Sequence, residues 1–449
     1  DMLKHIDIVI QCNILSEKKL EEAILPYKNN ILSVVARGDN RIPLLTRIIP
    51  YVPKLKYPSL ESIHASTDKI LMRQKLSKHD RKLSPPFMVV SDMQKDTIQK
   101  IKKRVGFPLV VKPSGLSSSK LVTICFHKEE LEQALKRVFK KLNGVNKKNK
   151  EKKQKVLVEQ FMDGLMYSVD CYVTGRETIY FCPMVHIKTG NDIGFDDFFG
   201  YRQMTPTLLN KKNIEKAHTV SKQAIKALKL KNTSVHIELF KTEGGWKIIE
   251  LTPRLGGFRH AMYQLSYGID HNMNDIFMHV PKKPFVPKKR KGYTAALKFF
   301  AKKEGRLTKL TGIKKAQKLE SLHEIMINKK IGSRCRYAKN GGGSVFNIIL
   351  FNENRSKLLA DIRRLEKMID IQTNDIEIKK NNTNEHFQKI YYKQLLKWSE
   401  DEKILTFVFE AFDEPWKGSD DPNEPEKHWG LFNEDRTPKH TMKQEIYKK

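Results

Sequence analysis

The stretch that decides the fold is Ser234-Val235-His236-Ile237-Glu238-Leu239-Phe240, then Thr242-Glu243-Gly244-Gly245, then Trp246-Lys247-Ile248-Ile249-Glu250-Leu251-Thr252-Pro253-Arg254-Leu255-Gly256-Gly257. Two apolar runs flank a Gly-Gly turn, which predicts a β-hairpin. Antiparallel pairing through that turn sets Glu238 beside Glu250. Adjacent carboxylates repel unless a cation lies between them. A divalent cation of the Mg²⁺ kind takes carboxylate oxygens together with phosphate oxygens. Arg254, just past the second strand, is placed to stabilise charge on a transferring phosphoryl group. Gly256 and Gly257 let the backbone approach a ligand closely. A surface hairpin with its acids turned outward would read the same, so the stretch needs support from elsewhere in the chain.

That support lies upstream. Phe107-Pro108-Leu109-Val110-Val111-Lys112-Pro113 is an apolar strand ending in a lysine, whose ammonium would emerge at a cleft and suit a phosphate. The following loop, Ser114 to Lys120, offers backbone N–H groups and the hydroxyls of Ser117, Ser118 and Ser119, although most such loops are only turns. Val156 to Phe161 is a further strand, and backbone groups of Glu159-Gln160-Phe161 at its end would meet an adenine edge.

In this order, and with Thr67-Asp68-Lys69 opening a helix, Val158 to Gly164, Tyr167-Ser168-Val169-Asp170 and Gly268-Ile269-Asp270, these blocks resemble the ATP-grasp superfamily over residues 20–370. The resemblance implies an α/β and α+β chain in which two α+β subdomains clamp ATP behind an N-terminal α/β layer. It implies that Lys69 and Lys112 touch phosphates, with Ser117, Ser118 and Ser119 beside them. Glu159, Gln160 and Phe161 would form the adenine hinge. Glu238 and Glu250 would hold Mg²⁺, with Mn²⁺ as a substitute, and Arg254 would stabilise the transferred phosphoryl group or acyl phosphate. ATP would phosphorylate a carboxylate, and an amine would displace the phosphate. Residues 293–369 resemble the C-terminal subdomain of the amino-acid-ligase and biotin-carboxylase-like branches.

Two positions depart from the family pattern. Thr252 stands where the family usually has an asparagine metal ligand, and Met166 where it often has a glutamate for the ribose. Asp163 or Asp170 would have to serve the ribose instead. Substrate choice falls to residues 186–206 and 254–264, with His186, Arg259 and the Gly256-Gly257 pair as candidates. Amide ligation is favoured over biotin carboxylation, since no bicarbonate or biotin signature is seen.

The expected organisation is residues 1–66 as a partial N-terminal α/β domain, 67–175 as the small subdomain and hinge, 176–290 as the large catalytic subdomain, 291–375 as an associated C-terminal subdomain, and 376–449 as linker and tail. In the first of these, Ile6–Ile10 and Ile31–Ala36 read as strands and Ser16 as a helix cap. Residues 187–205 read as a polar loop.

Composition bounds the rest. The 449 residues are 39% hydrophobic, enough to bury real cores, and no apolar run is long enough to span a membrane. The five cysteines, Cys12, Cys125, Cys171, Cys182 and Cys335, are odd in number and widely spaced, which argues against a disulfide framework or zinc site and fits a reducing cytoplasm. The net charge of +33 invites a polyanion partner. Yet the basic runs 140–155 and 282–291 lack aromatics at a stacking period, which argues against nucleic acid. The opening Asp1-Met2-Leu3 is not a secretory signal and reads as a truncated start. A homodimer is compatible with all of this.

Residues 385–449 differ in character. The strand ending at Glu410, with Asp413-Glu414-Pro415-Trp416 after it, resembles the end of family 17 glycoside hydrolases, β-1,3-glucan enzymes built on a barrel. A barrel needs about 250 residues, and the earlier strands that carry that family's catalytic glutamates have no counterpart here. Three readings follow: an ATP-dependent carboxylate–amine ligase acting on small molecules, a degraded ATP-grasp nucleotide or polyanion binder, and a glucan-related sugar-binding protein led by the tail.

Overall fold

The computed structural model describes residues 8–12, 16–36, 38–94, 96–113, 122–145, 155–195, 197–280, 282–375 and 385–402, with positions 405, 413, 430–433, 435–437 and 439 beyond them. The chain divides into two compact units, Asp1–Asn374 and Asp375–Lys449.

The first unit opens with helices. Ser16 caps α1 (Glu17–Ile24), accepting the Lys19 N–H at 3.4 Å, and α2 (Ile42–Ile48) follows. The expected N-terminal strands are a correction. Ile31–Ala36 forms no strand, and Ile8, Val9 and Ile10 are exposed and outside any ladder, Ile6 and Asp7 lying outside the described residues. A strand needs a neighbouring edge for its N–H and C=O groups. None is offered among the described residues, and the Val34 N–H goes instead to the Tyr57 hydroxyl. Helices α3 (Leu60–Thr67) and α4 (Lys69–His79) meet at Asp68, whose carboxylate caps α4 by accepting the N–H groups of Ile70 at 2.8 Å and Leu71 at 3.1 Å.

A small layer comes next: β1 (Phe87–Val90), α5 (Thr97–Arg104), β2 (Leu109–Pro113), β3 (Thr123–Cys125), α6 (Lys128–Val145) and β4 (Val156–Gln160). The strands form an antiparallel sheet in the order β1-β4-β2-β3. Period two divides its faces. Leu109, Val111, Val156 and Val158 join Ile101, Leu131 and Leu135 of the helices in one core, while Val110, Lys112, Leu157 and Glu159 face the other way.

The larger layer holds β5 (Leu165–Val173), β6 (Ile179–Phe181), β7 (Val185–Thr189), β8 (Gly200–Thr205), α7 (Lys211–Ala227), β9 (Thr233–Thr242), β10 (Gly245–Thr252), α8 (Arg259–Tyr267) and α9 (His271–Phe277). It continues with β11 (Tyr293–Phe299), β12 (Gly305–Thr311), α10 (Ile313–Ala316), β13 (Leu322–Ile327), β14 (Arg334–Cys335), β15 (Phe346–Asn352), α11 (Arg355–Met368) and β16 (Asp370–Asp375). One sheet runs β10-β9-β5-β7-β8-β11-β15-β13, with β6 beside β5, and a second runs β14-β12-β16. The supposed polar loop 187–205 therefore begins in the end of β7 and closes with β8. Its ladder partner β11 comes from far along the chain, so local composition does not reveal it.

The hairpin β9–β10 carries a bulge. Near the turn Ile248 opposes Leu239, but further on Glu250 opposes Glu238 and Leu251 opposes Ile237. Without the extra residue, Glu250 would sit opposite Ile237 and turn to the core face. With it, Glu238 and Glu250 share one face, while Ile237, Leu239, Ile248 and Leu251 pack on the other against Ala224, Ile225 and Leu228 in and just after α7. The four cysteines at 125, 171, 182 and 335 are buried and free, and burial pushes the Cys125 thiol up to about 12, consistent with inert packing.

In the second unit α12 spans Glu385–Glu402. Asp413, a candidate sugar contact, has its carboxylate taken by Lys439 at 2.6 Å and by the Gly430 N–H at 3.1 Å. Glu410 and Trp416 lie outside the described residues.

Candidate active site

A cavity of about 960 Å³ lies in the first unit, lined by the small sheet on one side and the large sheet on the other. Lys69, Lys112, Glu159, Gln160, Phe161, Glu238, Glu250, Arg254, Gly256, Gly257 and Arg259 all line it. Residues far apart in sequence thus converge where the hairpin reading needed them.

Lys69 and Lys112, the two expected phosphate contacts, are held by carboxylates. Lys69 sits at the first position of α4, the end of a helix least favourable to a cation. It is steadied by Glu250, whose Oε2 is 3.3 Å from its Nζ. Lys112 donates to Glu159 Oε2 at 2.6 Å, and Arg73 donates through Nε to the other oxygen of the same carboxylate. Glu159 is 1% exposed. Burial alone would raise its pKa, but Arg73 and Lys112 outweigh burial and hold it down at about 2. The Glu159 side chain therefore positions Lys112 instead of reading a base. The N–H groups of Gln160 and Phe161 are also committed, to Pro86 O and Pro108 O at 2.9 Å each, so these two donors are not open to adenine.

Across the cavity stand Glu238 and Glu250. Burial opposes the charge on Glu238, but His236, with Nε2 3.4 Å from its Oε1, and then Arg254 and Arg259 keep its pKa below the usual carboxylate value. Arg254 donates through Nε to Asp39 at 2.5 Å and through Nη1 to Leu255 O at 2.7 Å. Burial would weaken its charge, but Asp39, Glu238 and Asp170 hold the proton more firmly than usual. Two carboxylates on one face, still partly open to solvent, fit a hard divalent cation shared with phosphate oxygens.

Thr252 does not complete that set. It is 4% exposed, its Oγ1 has no hydrogen-bond partner among the described residues, and it does not line the cavity. The ribose candidates also fail. Asp163 is exposed and off the cavity, while Met166 lines it. Asp170 is buried behind the wall, accepting from His236 Nδ1 at 2.7 Å, His271 Nε2 at 3.0 Å and the Gly256 N–H at 2.7 Å. Burial resists its charge, yet His236 and His271 pull its pKa well below the ordinary value.

His186 is a further correction. Strand alternation turns Ile187 and Thr189 to the cavity and His186 away, against Tyr167 with ring centroids 5.1 Å apart. Burial, then Arg202 and Lys188, lower its pKa. Arg259 does line the cavity but is 1% exposed, and its two terminal nitrogens donate to Gln203 Oε1 at 2.6 Å and Ser168 Oγ at 2.7 Å, so it shapes the wall. Ser117, Ser118 and Ser119 lie outside the described residues.

Gly256 sits where a side chain has no room. A Cβ there would lie 2.5 Å from His236 Nδ1 and 2.7 Å from Arg259 Cγ. Gly256→Ala is expected to destabilise the chain by about 1–3 kcal/mol, as overpacking of a dense site does. A urea midpoint unchanged from the parent chain would show that the His236–Asp170 cluster yields freely. Gly257 has open space at the same test.

Residues 105–261 match the family model of the ATP-grasp domain. The chain has an ATP-grasp fold. It is 26% identical over 282 residues to the uncharacterized protein y4rH of Sinorhizobium fredii (strain NBRC 101917 / NGR234), covering 61% of this chain and 55% of that protein. It is 23% identical over 195 residues to the C-terminal section of the carbamoyl phosphate synthase large chain of Aquifex aeolicus (strain VF5), covering 43% and 33%. The chain thus spans about half the length of the first relative and a third of the second. Among solved structures it resembles the L-amino acid ligase from Bacillus licheniformis, with a TM-score of 0.66, 16% identity and coverage of 80% and 85%.

Several residues of the cavity carry signals that the sequence reading above does not use. Arg73 stands four residues after Lys69 on the same helix face, a spacing that would have placed it there. His236 stands two before Glu238 on the same strand face. Lys298 interrupts the apolar run of β11. Asp39 carried no local signal, since its role depends on a partner more than two hundred residues away.

Proposed function

We propose that the protein is an ATP-dependent carboxylate–amine ligase that forms a carbon–nitrogen bond through an acyl phosphate. The observation that carries this reading is the bulged hairpin. It turns Glu238 and Glu250 onto one face of a cavity that Lys69 and Lys112 enter, with Arg254 beside them. The ATP-grasp domain match supports it.

In this reading Lys69 and Lys112 bind the phosphates of ATP. Glu159 and Arg73 fix where Lys112 points. Glu238 and Glu250 hold Mg²⁺, or Mn²⁺ in its place, which when bound would neutralise charge on the phosphates. Arg254 exchanges its hold on Asp39 for the charge that develops as the phosphoryl group reaches the carboxylate. The amine then attacks the acyl carbon, a C–N bond forms and phosphate leaves. No helix among the described residues is long and apolar enough to cross a membrane.

The displaced Thr252 and the apolar Met166 favour a second reading, a nucleotide binder with little turnover. One experiment separates them: ADP release from Mg·ATP across a panel of amino acids, dipeptides and small carboxylates. Release that requires both an acid and an amine is the expected result. A nucleotide-induced rise in melting temperature without release would establish the binder. Neither response would refute both.

A further inference from the structure

Resting on the ligase reading above, we infer that Lys298 anchors the carboxylate of the acid substrate, and that this acid carries an apolar or aromatic body.

Lys298 lies on β11, in the run Tyr293-Thr294-Ala295-Ala296-Leu297-Lys298-Phe299, and its side chain lines the cavity. Its Nζ lies 5.4 Å from the centroid of the Phe258 ring. Among the described residues it has no carboxylate and no hydrogen-bond partner. The other cations of the lining differ: Lys69 has Glu250, Lys112 and Arg73 have Glu159, Arg254 has Asp39, and Arg259 has Gln203 and Ser168. A half-buried ammonium without a counter-charge is costly. Burial and the nearby Arg259 lower its pKa, while Glu238 works the other way. An anionic ligand relieves that cost, and Lys298 lines the same cavity as Glu238, Glu250 and Arg254.

The wall beside Lys298 combines Asn347, its partner across the β11–β15 ladder, with aromatic rings. Phe198, Phe199, Phe258 and Phe300 line the cavity, with the Phe199 and Phe300 rings 4.0 Å apart and Phe258 beside Lys298. A wall of that kind favours a body without further charge. A single carboxylate on an apolar frame satisfies both features; a dicarboxylate or a sugar phosphate satisfies only the first.

The test uses three probes on the full chain: 3-phenylpropionate, its neutral twin 3-phenylpropanamide, and glutarate. Calorimetric affinity and melting temperature are measured for the parent chain, Lys298→Met and Lys298→Arg. The expected result is that the parent prefers 3-phenylpropionate to both others. Lys298→Met should weaken that acid roughly tenfold, the loss expected for one charge-assisted contact. Lys298→Arg should restore most of it, and the response to Mg·ADP should be unchanged in both variants.

Tighter glutarate binding overturns the apolar body. Equal binding of acid and amide, or acid binding untouched by Lys298→Met, overturns the anchor. A fall in kcat with unchanged acid affinity also overturns it, because Lys298 would then act on the amine. A parent chain that answers Mg·ADP but none of the probes sinks this inference alone. A parent chain that does not answer Mg·ADP sinks the ligase reading beneath it.

Discussion

Glu250→Gln is expected to remove Mg·ATP turnover while leaving the fold intact. Glutamine keeps the shape of the side chain and loses only its charge. Glu250 is partly open to solvent, so no buried charge is left behind in the core. What goes is one of the two anionic ligands opposite Lys69 and the charge that steadies Lys69 at the start of its helix. Losing several kcal/mol of transition-state stabilisation corresponds to about a thousandfold in rate. ADP release should fall to background and the melting temperature should stay within a few degrees. Full activity in this variant would show that the metal assignment is wrong.

Glu159→Gln should act through stability instead. The carboxylate is buried between Arg73 and Lys112, and removing its charge leaves both cations facing a neutral group. Breaking a buried pair in this way costs about 3–5 kcal/mol. Arg73 also donates to Ile249 O at 2.8 Å, at the bulge, so the damage reaches the hairpin that bears Glu238 and Glu250. Acid titration supplies an independent check. The folded pKa of about 2 lies below the ordinary value of 4.5. Stability from this group is therefore fully present above 4.5 and lost as pH falls through 2, an amount on the order of 3 kcal/mol. The parent chain should lose that component between those values and Glu159→Gln should not. Parallel stability–pH curves would refute the assignment.

Much of this site could be read from residue types at short spacings. Two glutamates flanking a Gly-Gly turn, Lys112 at the end of an apolar run and Asp68 ahead of Lys69 each carry their signal locally. What could not be read depends on partners distant in sequence. Residues 187–205 look polar because their strand is completed by β11. Residues 31–36 look like a strand because nothing local says that no edge awaits them. Glu159 reads as part of a nucleotide hinge because Arg73, its partner, belongs to a helix 86 residues earlier in the chain. Asp170 looked available for a ribose because the two histidines that enclose it lie on β9 and α9.

The β9–β10 bulge has a consequence for which sequence changes the hairpin can absorb. Counted from its turn, the hairpin changes parity once, at Ile249. Every residue nearer the turn obeys one odd–even rule and every residue beyond it obeys the other. Insertions or deletions of two residues near Gly244 preserve both rules. A change of one residue between Ile248 and Glu250 exchanges the faces of everything that follows, sending a carboxylate into the helix-packed core and a leucine into the cavity. The chemistry proposed for this chain thus hangs on a single count, one that no substitution table would flag.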